Sequence, residues 1–224
     1  MDTKKQLSKK VDNNPHKSGF TKKQLDILRI FAKEPWRQFT ITDVKQNTKI
    51  KSHHYAYEAL KAFTEKGILK EDIKGKTGIY SVNYESDNNI EYFSFVEHSI
   101  KEERKDIPSS NLKQIQDKIK SPFYSMIIGG SYAEKKQKPT SDLDIAIIIP
   151  ASESKKSYEI ALKEGELMIP EVHGFVFTQE EFYLMLINKE YNYGKEIARK
   201  HMIICGAESY YKILFEAMRN GFKG

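Results

Sequence analysis

The sequence predicts a two-domain α/β protein with a mostly helical N-terminal part and a C-terminal part in which strands and helices alternate. Three observations lead to this prediction. Apolar residues recur at helical spacing over about 20–66, and two strand-like runs joined by a Gly-bearing loop follow them. Further along, an apolar run that ends in Gly-Gly-Ser precedes a second apolar run over 143–149. A chain of 224 residues is long enough to give each part a core.

Charge is distributed unevenly along the chain. Residues 1–80 hold 18 Lys and Arg against 9 Asp and Glu, whereas residues 81–224 hold 19 against 22. This asymmetry indicates either that the N-terminal part meets a polyanion or that it has an ordinary lysine-rich surface, and charge alone leaves both open. The mean hydropathy of −0.63 and the short apolar runs predict a soluble protein without a membrane span.

The expected compartment is the cytoplasm. The N-terminus is basic but has no apolar segment behind it, so a secretory signal is not expected. The single cysteine, Cys205, cannot form an internal disulfide, which favours a reducing compartment. Because Cys205 lies in an apolar run, we expect a packed thiol rather than a nucleophile.

The N-terminal part is predicted to contain three helices, a short strand and a hairpin. Thr21 and Gln24 form a potential capping box for the first helix, Thr42 is expected to open the second, and Ser52 to cap the third, which ends at Gly67. The predicted elements are a mobile tail over 1–19, a helix ending before Pro35, a strand over 39–41, helices over 42–46 and 53–66, and strands over 68–70 and 78–82 joined by a loop over 72–77.

The run from Ser52 to Leu69, with its Leu-x-x-Phe-x-x-Lys-Gly-Ile-Leu pattern, resembles the recognition helix and first wing strand of MarR-like and related winged-helix regulators. The resemblance covers about 65 residues and implies a winged helix-turn-helix domain over 20–87. It further implies that the third helix enters a major groove of DNA and that the wing reaches the backbone. The DNA-contacting candidates are His53, His54, Tyr55, Tyr57 and Lys61 on the helix, and Lys70, Lys74 and Lys76 on the wing. Adjacent histidines point about 100° apart on a helix, so His53 and His54 make a poor metal pair.

Two helices are predicted to link the parts over 88–121. The first is amphipathic and runs over 88–105, Pro108 breaks the pattern, and the second runs over about 111–119. The C-terminal part then covers 122–224.

The Gly129-Gly130-Ser131 turn is the first candidate site. Without side chains on the two glycines, the backbone can approach a phosphate closely, and amide groups at a helix start and the Ser131 hydroxyl can bond to it. A Gly-Gly-Ser turn alone is also typical of ordinary tight turns.

Asp142 and Asp144 are the second candidate site. They are separated by one residue at the start of a strand, so both carboxylates lie on one face, roughly 6–7 Å apart along the chain. Two adjacent carboxylates repel unless a cation lies between them, and Mg²⁺ is suited to oxygen ligands and substrate phosphates. Taken alone, the pair is also compatible with two solvated aspartates at a strand end.

Gly130-Ser131, ten residues, and then Asp142-Leu143-Asp144 is similar to the motif of the minimal nucleotidyltransferases of the DNA polymerase β superfamily. The resemblance extends over about 123–224. It implies a small mixed sheet with helices, ATP or another nucleoside triphosphate held by Gly129, Gly130 and Ser131, and Mg²⁺ or Mn²⁺ on Asp142 and Asp144. The implied reaction is in-line transfer of a nucleoside monophosphate to a hydroxyl.

The resembled family usually has a third catalytic and metal-binding carboxylate on a neighbouring strand. The candidate strand covers 170–177, and Glu171 is the carboxylate expected inside it, with His173 as the second choice. A capping box at Thr178 and Glu181 starts the next helix. Two helices broken at Gly206 are predicted to follow, and three cations there, Lys195, Arg199 and Lys200, could balance a triphosphate or form a solvated face.

Three functions fit these features. The first is a DNA-binding nucleotidyltransferase, which within the resembled family includes antitoxins that transfer AMP to a tyrosine of a toxin of the HEPN ribonuclease family. The second is a transcriptional regulator whose nucleotidyltransferase domain senses a nucleotide or is inactive. The third is modification of a small hydroxylated molecule. A homodimer is compatible with all three, since winged-helix proteins often pair.

Overall fold

The computed structural model describes residues 19–86 and 89–224. The predicted mobile tail lies outside the described residues except for Gly19, and so does Asn88 at the start of the first linker helix. Within these ranges the chain forms ten α-helices, one short 3₁₀ helix and two small sheets. In chain order the elements are α1 (Lys22–Lys33), β1 (Phe39–Thr40), α2 (Ile41–Asn47), α3 (His53–Glu65), β2 (Leu69–Lys74), β3 (Thr77–Val82), α4 (Asn89–Glu103), α5 (Ser109–Gln116), β4 (Ser125–Ile128), α6 (Gly130–Ala133), β5 (Leu143–Ile149), α7 (Lys155–Lys163), the 3₁₀ helix (Glu164–Leu167), β6 (Val172–Thr178), α8 (Gln179–Ile187), α9 (Tyr193–Arg199), β7 (Met202–Cys205) and α10 (Ala207–Arg219).

The first helices begin at side-chain caps. Thr21 and Gln24 form the predicted capping box of α1, and the Ser52 hydroxyl accepts a hydrogen bond from the Tyr55 amide at the start of α3. The prediction for α2 was wrong by two residues, because Thr40 rather than Thr42 is its cap. The Thr40 hydroxyl accepts from the Asp43 amide, and the Asp43 carboxylate accepts from Thr40 in return.

The first sheet is antiparallel, in the order β1-β3-β2. Its hairpin is tighter than the predicted loop over 72–77, because Lys74 pairs with Thr77 and only two residues connect the strands. Gly75 adopts a φ of +64° there, a conformation that residues with a side chain rarely adopt.

The second sheet is mixed, as the resemblance to the nucleotidyltransferases implied. Its order is β6-β5-β4-β7, with β4 antiparallel to both neighbours and β5 parallel to β6. The connection from β5 to β6 passes through α7, which packs on β6, while α8 covers the opposite face. The prediction of two helices broken at Gly206 was wrong, since the edge strand β7 separates α9 from α10.

The N-terminal and C-terminal parts share one continuous core. The Phe93 ring of α4 packs against two rings of α10, at 5.4 Å from Tyr211 and 5.8 Å from Phe215. The Tyr211 hydroxyl lies 2.8 Å from a Glu97 carboxylate oxygen and 3.3 Å from the Ala32 carbonyl oxygen of α1. The C-terminal helix α10 therefore packs against the N-terminal helices as well as against the second sheet. None of the helices in the described ranges has the length and apolarity that crossing a bilayer requires.

Candidate functional site

The turn after β4 brings a glycine against an aspartate. The Gly129 amide donates to the Asp144 carbonyl oxygen at 3.0 Å, which ties the turn to β5. Gly130 follows with a φ of +56°. A Cβ atom on Gly130 would collide with Oδ2 of Asp144 and would lie 3.1 Å from its Cγ. Only glycine permits this approach, so the turn and the second aspartate of the predicted motif meet as their spacing suggested.

Ser131 is the second residue of α6 and is half-buried. Its carbonyl oxygen accepts from the Lys136 amide at 2.9 Å, and its hydroxyl has no hydrogen-bond partner in the described part of the chain. Because α6 has only four residues, its dipole is small. Any phosphate held here would depend on backbone amides and this hydroxyl.

Residues from β5 and β6 converge in front of the turn. Asp144 pairs with His173 in the parallel register, so both side chains lie on the same sheet face. Nδ1 of His173 is 3.8 Å from Oδ2 of Asp142, and its Nε2 is 3.5 Å from Oε1 of Glu171. One ligand atom each from Asp142, Glu171 and His173 lies within 4.8 Å of the other two, and all three residues are exposed.

The donor set of this cluster fits a divalent cation. The carboxylates of Asp142 and Glu171 supply the oxygen ligands that Mg²⁺ and Mn²⁺ prefer. The imidazole of His173 is a donor that Mg²⁺ rarely takes. Asp144 is outside the group of three, because its Oδ2 faces Gly130 instead.

Asp144 is the carboxylate that its surroundings perturb. Burial raises the pKa of the Asp144 carboxyl, and the charges of Asp142 and Glu196 raise it further, whereas His173 opposes this shift. The raised pKa means that ionising Asp144 costs more than ionising a solvent-exposed aspartate. A bound cation would relieve that cost.

The prediction that Glu171 lies inside the third strand was wrong. β6 begins at Val172, so Glu171 precedes the strand by one residue, although its carbonyl oxygen accepts from the Leu143 amide at 2.8 Å. The residue beside Asp144 in β6 is His173. The β6 residue that faces the aspartates is therefore His173, an imidazole rather than a carboxylate.

Two residues of α9, Tyr193 and Glu196, lie near the site and were not predicted. The Tyr193 hydroxyl is buried and has no hydrogen-bond partner among residues 19–86 and 89–224. Burial, followed by the charges of Asp144 and Glu196, raises the pKa of Tyr193 to about 12. The Tyr193 ring packs 4.7 Å from that of Phe175. No sequence motif marks these residues, because α9 approaches β6 only through the tertiary fold.

The three cations predicted to balance a triphosphate make their contacts elsewhere. Lys195 donates to the Asn188 carbonyl oxygen, and Arg199 donates to the Gly224 carbonyl oxygen at 2.7 Å. Lys200 lies 3.5 Å from a Glu134 carboxylate oxygen. None of these contacts involves Asp142 or Asp144, so the second interpretation, a largely solvated helix face, describes them better.

The residues predicted to contact DNA lie on α3 and on the β2-β3 hairpin. His53, His54 and Lys61 of α3 are exposed, as are Lys70, Lys74 and Lys76 on β2 and the turn, and Tyr57 is 40% exposed. Lys61 is 3.9 Å from Glu65. The prediction that Tyr55 is exposed was wrong. Its side chain is half-buried, and its hydroxyl lies 3.0 Å from the Thr21 hydroxyl. Tyr55 therefore supports the start of α1 rather than facing solvent freely.

Comparison with known proteins matches the C-terminal part. Residues 112–205 match the family model described as the nucleotidyltransferase domain. No curated protein matches the chain. Among solved structures, TrmBL2, an archaeal chromatin protein whose structure is said to show a novel mode of DNA binding, is 16% identical and covers 86% of this chain and 79% of its own, with a TM-score of 0.28. That TM-score is too low to support any argument about this chain. Asp142, Asp144, Glu171 and His173 all lie within the segment that matches the nucleotidyltransferase family model.

Proposed function

We propose that this protein transfers a nucleoside monophosphate from a nucleoside triphosphate to a hydroxyl acceptor, in a reaction that requires Mg²⁺ or Mn²⁺. One observation carries the proposal: the backbone of Gly130 lies against Asp144, while the donor atoms of Asp142, Glu171 and His173 lie within 4.8 Å of one another beside it. A close-approach glycine turn and a divalent-cation donor set thus lie side by side. The family-model match to a nucleotidyltransferase domain supports the same reaction class.

In this mechanism the protein mainly positions groups and neutralises charge. Divalent ions, when bound, stabilise the attacking and leaving oxygens of the displacement. The Gly130 and Ser131 amides and the Ser131 hydroxyl hold the phosphates of the donor nucleotide, whereas the Gly129 amide already donates to the Asp144 carbonyl oxygen and fixes the turn. The acceptor oxygen forms a bond to the α-phosphorus, the bond to the β-phosphate oxygen breaks, and pyrophosphate leaves. The acceptor proton passes to Glu171, which keeps one carboxylate oxygen free when the other holds an ion, whereas an imidazole that ligates through one ring nitrogen carries a proton on the other.

We propose ATP as the donor and AMP as the group transferred. The test is incubation of the full chain with ATP labelled at the α-phosphate, Mg²⁺ and candidate acceptors. Transfer should be lost in Asp142→Asn and Asp144→Asn, which keep side-chain size but remove the charges. Lys156→Gln on the exposed surface of α7 is the matched control. Equal transfer by the aspartate variants would refute the proposed site.

For the acceptor, the family resemblance points to a tyrosine of a HEPN-class toxin, which would make this protein an antitoxin. The assay compares the product of the neighbouring gene with a hydroxylated small molecule such as an aminoglycoside. Label on a tyrosine of the protein supports the antitoxin role. Label only on the small molecule refutes that role while preserving the reaction.

We also propose that the N-terminal part binds DNA as a winged helix. The order α1-β1-α2-α3-β2-β3, the exposed start of α3 and the exposed lysines at the hairpin support this. If Lys74 and Lys76 contact phosphates, replacing both with Gln should reduce the slope of log affinity against log salt by about 2. Fluorescence anisotropy at several salt concentrations measures this slope, and an unchanged slope would contradict the proposed wing contact. Sedimentation of the same samples tests the predicted homodimer.

A second function is favoured by one observation, the imidazole of His173 in the place beside Asp144. With one carboxylate fewer in the strand, the domain would hold a nucleotide without efficient turnover and would act as a sensor for DNA binding. ATP binding without transfer, together with a DNA affinity that changes with ATP, would support this function. Transfer to any acceptor at a rate that depends on Asp142 would exclude it.

A further inference from the structure

A cavity of about 350 Å³ lies between the N-terminal helices and the C-terminal part. It is lined by α1, α4, the segment after α6 and the end of α9. Cations from all four regions face it: Arg29 and Lys33 of α1, Arg104 after α4, Lys135 and Lys136 after α6, and Lys200 after α9. The carboxylates in its lining are Glu97 and Glu134. The cavity is therefore strongly cationic.

Both carboxylates are already engaged. Glu97 is buried and accepts from the Tyr211 hydroxyl at 2.8 Å, and His201 Nε2 lies 3.5 Å from it. Glu134 is shared by two lysines, with Lys136 at 3.0 Å and Lys200 at 3.5 Å. Of the remaining cations, Arg29 pairs with Asp26 and Glu103, and Arg104 pairs with Asp106, so Lys33 and Lys135 are the lysines of the lining left without a carboxylate in the described part of the chain.

Several donors in the cavity lining lack an acceptor. Lys33 and Lys135 form no ion pair within the described ranges. The Nε atom of Arg29 is buried and donates to no acceptor there, although its other nitrogens bond to Asp26, Glu103 and Ser99. Positive charges gathered from separate elements repel one another, so the arrangement favours an anionic ligand.

The backbone of Lys135 is a second, independent observation. Lys135 has a φ of +58°, and the Lys136 amide next to it donates to the Ser131 carbonyl oxygen at 2.9 Å, which closes the end of α6. Glycine is the usual residue at such a position. Arg104 already donates to the carbonyl oxygens of Tyr132 and Ala133 at this helix end. The lysine side chain is therefore not needed to terminate the helix, and it adds charge at a conformational cost.

We propose that this cavity binds a small anion with two or more phosphate groups, of the pyrophosphate and nucleoside polyphosphate class. Its volume is near the lower end of the range of about 300–1,000 Å³ that ligand pockets occupy. The site is distinct from the glycine turn, because it lies at the end of α6 rather than at its start and none of Asp142, Asp144 or Glu171 lines it. The bound anion would bridge α1 of the N-terminal part and the loops of the nucleotidyltransferase domain.

The test is isothermal titration calorimetry of the full chain with sodium pyrophosphate in EDTA, which removes divalent ions from the aspartate site. We expect the Kd to rise about tenfold in Lys33→Gln and in Lys135→Gly, as expected for the loss of one charge-assisted hydrogen bond. Lys135→Gly should also raise the melting temperature, because glycine suits a φ of +58°. Weaker binding in a more stable protein cannot result from unfolding.

Two controls separate this proposal from the proposed function. Lys156→Gln removes a cation outside the cavity and should leave the Kd unchanged. Asp142→Asn should abolish nucleotidyl transfer but leave pyrophosphate binding in EDTA intact. Tighter pyrophosphate binding by Asp142→Asn in EDTA would place the anion at the glycine turn, where the Asp142 charge repels it when no divalent ion is bound, and would overturn the second site.

The remaining outcomes are equally decisive. No heat of binding at millimolar pyrophosphate in low salt would overturn the proposal, and so would identical Kd values for Lys33→Gln, Lys135→Gly and the unsubstituted chain. A single-stranded oligonucleotide that binds through Lys33 and Lys135 while pyrophosphate does not would identify a nucleic-acid groove instead.

Discussion

His173 lies directly beside Asp144 in the parallel register of β5 and β6, so an imidazole and a carboxylate share one face of the sheet. The imidazole also reaches Asp142 and Glu171 through its two ring nitrogens, at 3.8 Å and 3.5 Å. It therefore sits at the centre of the acidic cluster. An imidazole in this place supplies no negative charge, so the cluster is less negative than one with a third carboxylate, and this weakens its hold on a cation.

Replacing His173 with Asp should strengthen the site. The added carboxylate supplies an oxygen ligand, so we expect the Mg²⁺ concentration for half-maximal transfer to fall by about tenfold, or about 1.4 kcal/mol. The measurement is label transfer as a function of Mg²⁺ concentration. Glu171→Gln, which removes a carboxylate of the same cluster, is the comparison and should raise the Mg²⁺ concentration needed for half-maximal transfer. Loss of activity in His173→Asp at all Mg²⁺ concentrations would show that the imidazole itself is required.

Replacing Gly130 with Ala should slow transfer by roughly 100-fold. The new Cβ would collide with Oδ2 of Asp144 and displace that carboxylate, and a misplacement of about 1 Å can cost roughly 100-fold in rate. Gly75→Ala is the matched control, since Gly75 also has a positive φ but a Cβ atom there would meet nothing within 4 Å. Both variants should lose about 1–2 kcal/mol of stability from the backbone alone. Similar transfer rates in the two variants would contradict the role of the close approach.

Replacing Tyr193 with Phe separates folding from binding. The buried hydroxyl lacks a partner in the described structure, so its removal should leave the free energy of unfolding unchanged or raise it by about 1 kcal/mol. The phenylalanine ring keeps the packing against Phe175 and Phe177. Because the hydroxyl lies beside Asp144 and Gly129, we expect the KM for the triphosphate to rise. An unchanged KM would show that the hydroxyl does not reach the substrate.

Stability should depend on the protonation of His201. Burial disfavours the charged ring, but the hydrogen bond and charge of Glu97, aided by the Ala198 and Ile197 carbonyls, raise the pKa of His201 above its ordinary value of 6.5. A raised folded-state pKa stabilises the protein fully below about pH 6.5, and this contribution is lost as the pH rises through the folded-state pKa. The melting temperature should therefore fall as the pH rises above about 6.5 and through the raised folded-state pKa of His201. His201→Gln should flatten this part of the profile, and an equally steep fall in that variant would assign it to other groups.

Replacing Tyr211 with Phe should weaken the junction of the two parts. The change removes the hydroxyl that bonds to Glu97 and lies near the Ala32 carbonyl, and leaving buried acceptors without a donor costs about 1–3 kcal/mol. Guanidinium denaturation followed by circular dichroism measures the loss. Tyr191→Phe, on a ring that is 64% exposed, should have no effect. Two separate transitions in either protein would show that the shared core does not couple the parts.

The sequence predicted the features that depend on local chemistry. The capping boxes at Thr21 and Thr178 need only the side chain and backbone of residues three apart, and both form. The meeting of Gly130 with Asp144 follows from the antiparallel pairing of β4 and β5, in which Ile128 lies opposite Ile145. The prediction that Glu171 lies inside the strand was wrong, because a strand boundary depends on tertiary pairing. The pairing observed here begins β6 at Val172.

Other features could not be read from local pattern. The four residues of β7 form a short apolar run that periodicity cannot distinguish from buried helix, and its identity comes from pairing with β4. Tyr193 and Glu196 reach Asp144 only because α9 folds back over the sheet. The assignment of the N-terminal part to the winged helices, and the boundaries at 87 and 121, remain predictions.

The packing of α10 has a practical consequence for anyone who wishes to study the halves in isolation. This helix follows the segment matched by the family model, yet its aromatic rings fill the space beside α4. A fragment cut at residue 205 would leave Phe93 and its neighbours facing water, and a fragment of the N-terminal helices alone would do the same. Such pieces should aggregate, so binding and catalysis are best dissected by point substitution in the intact polypeptide.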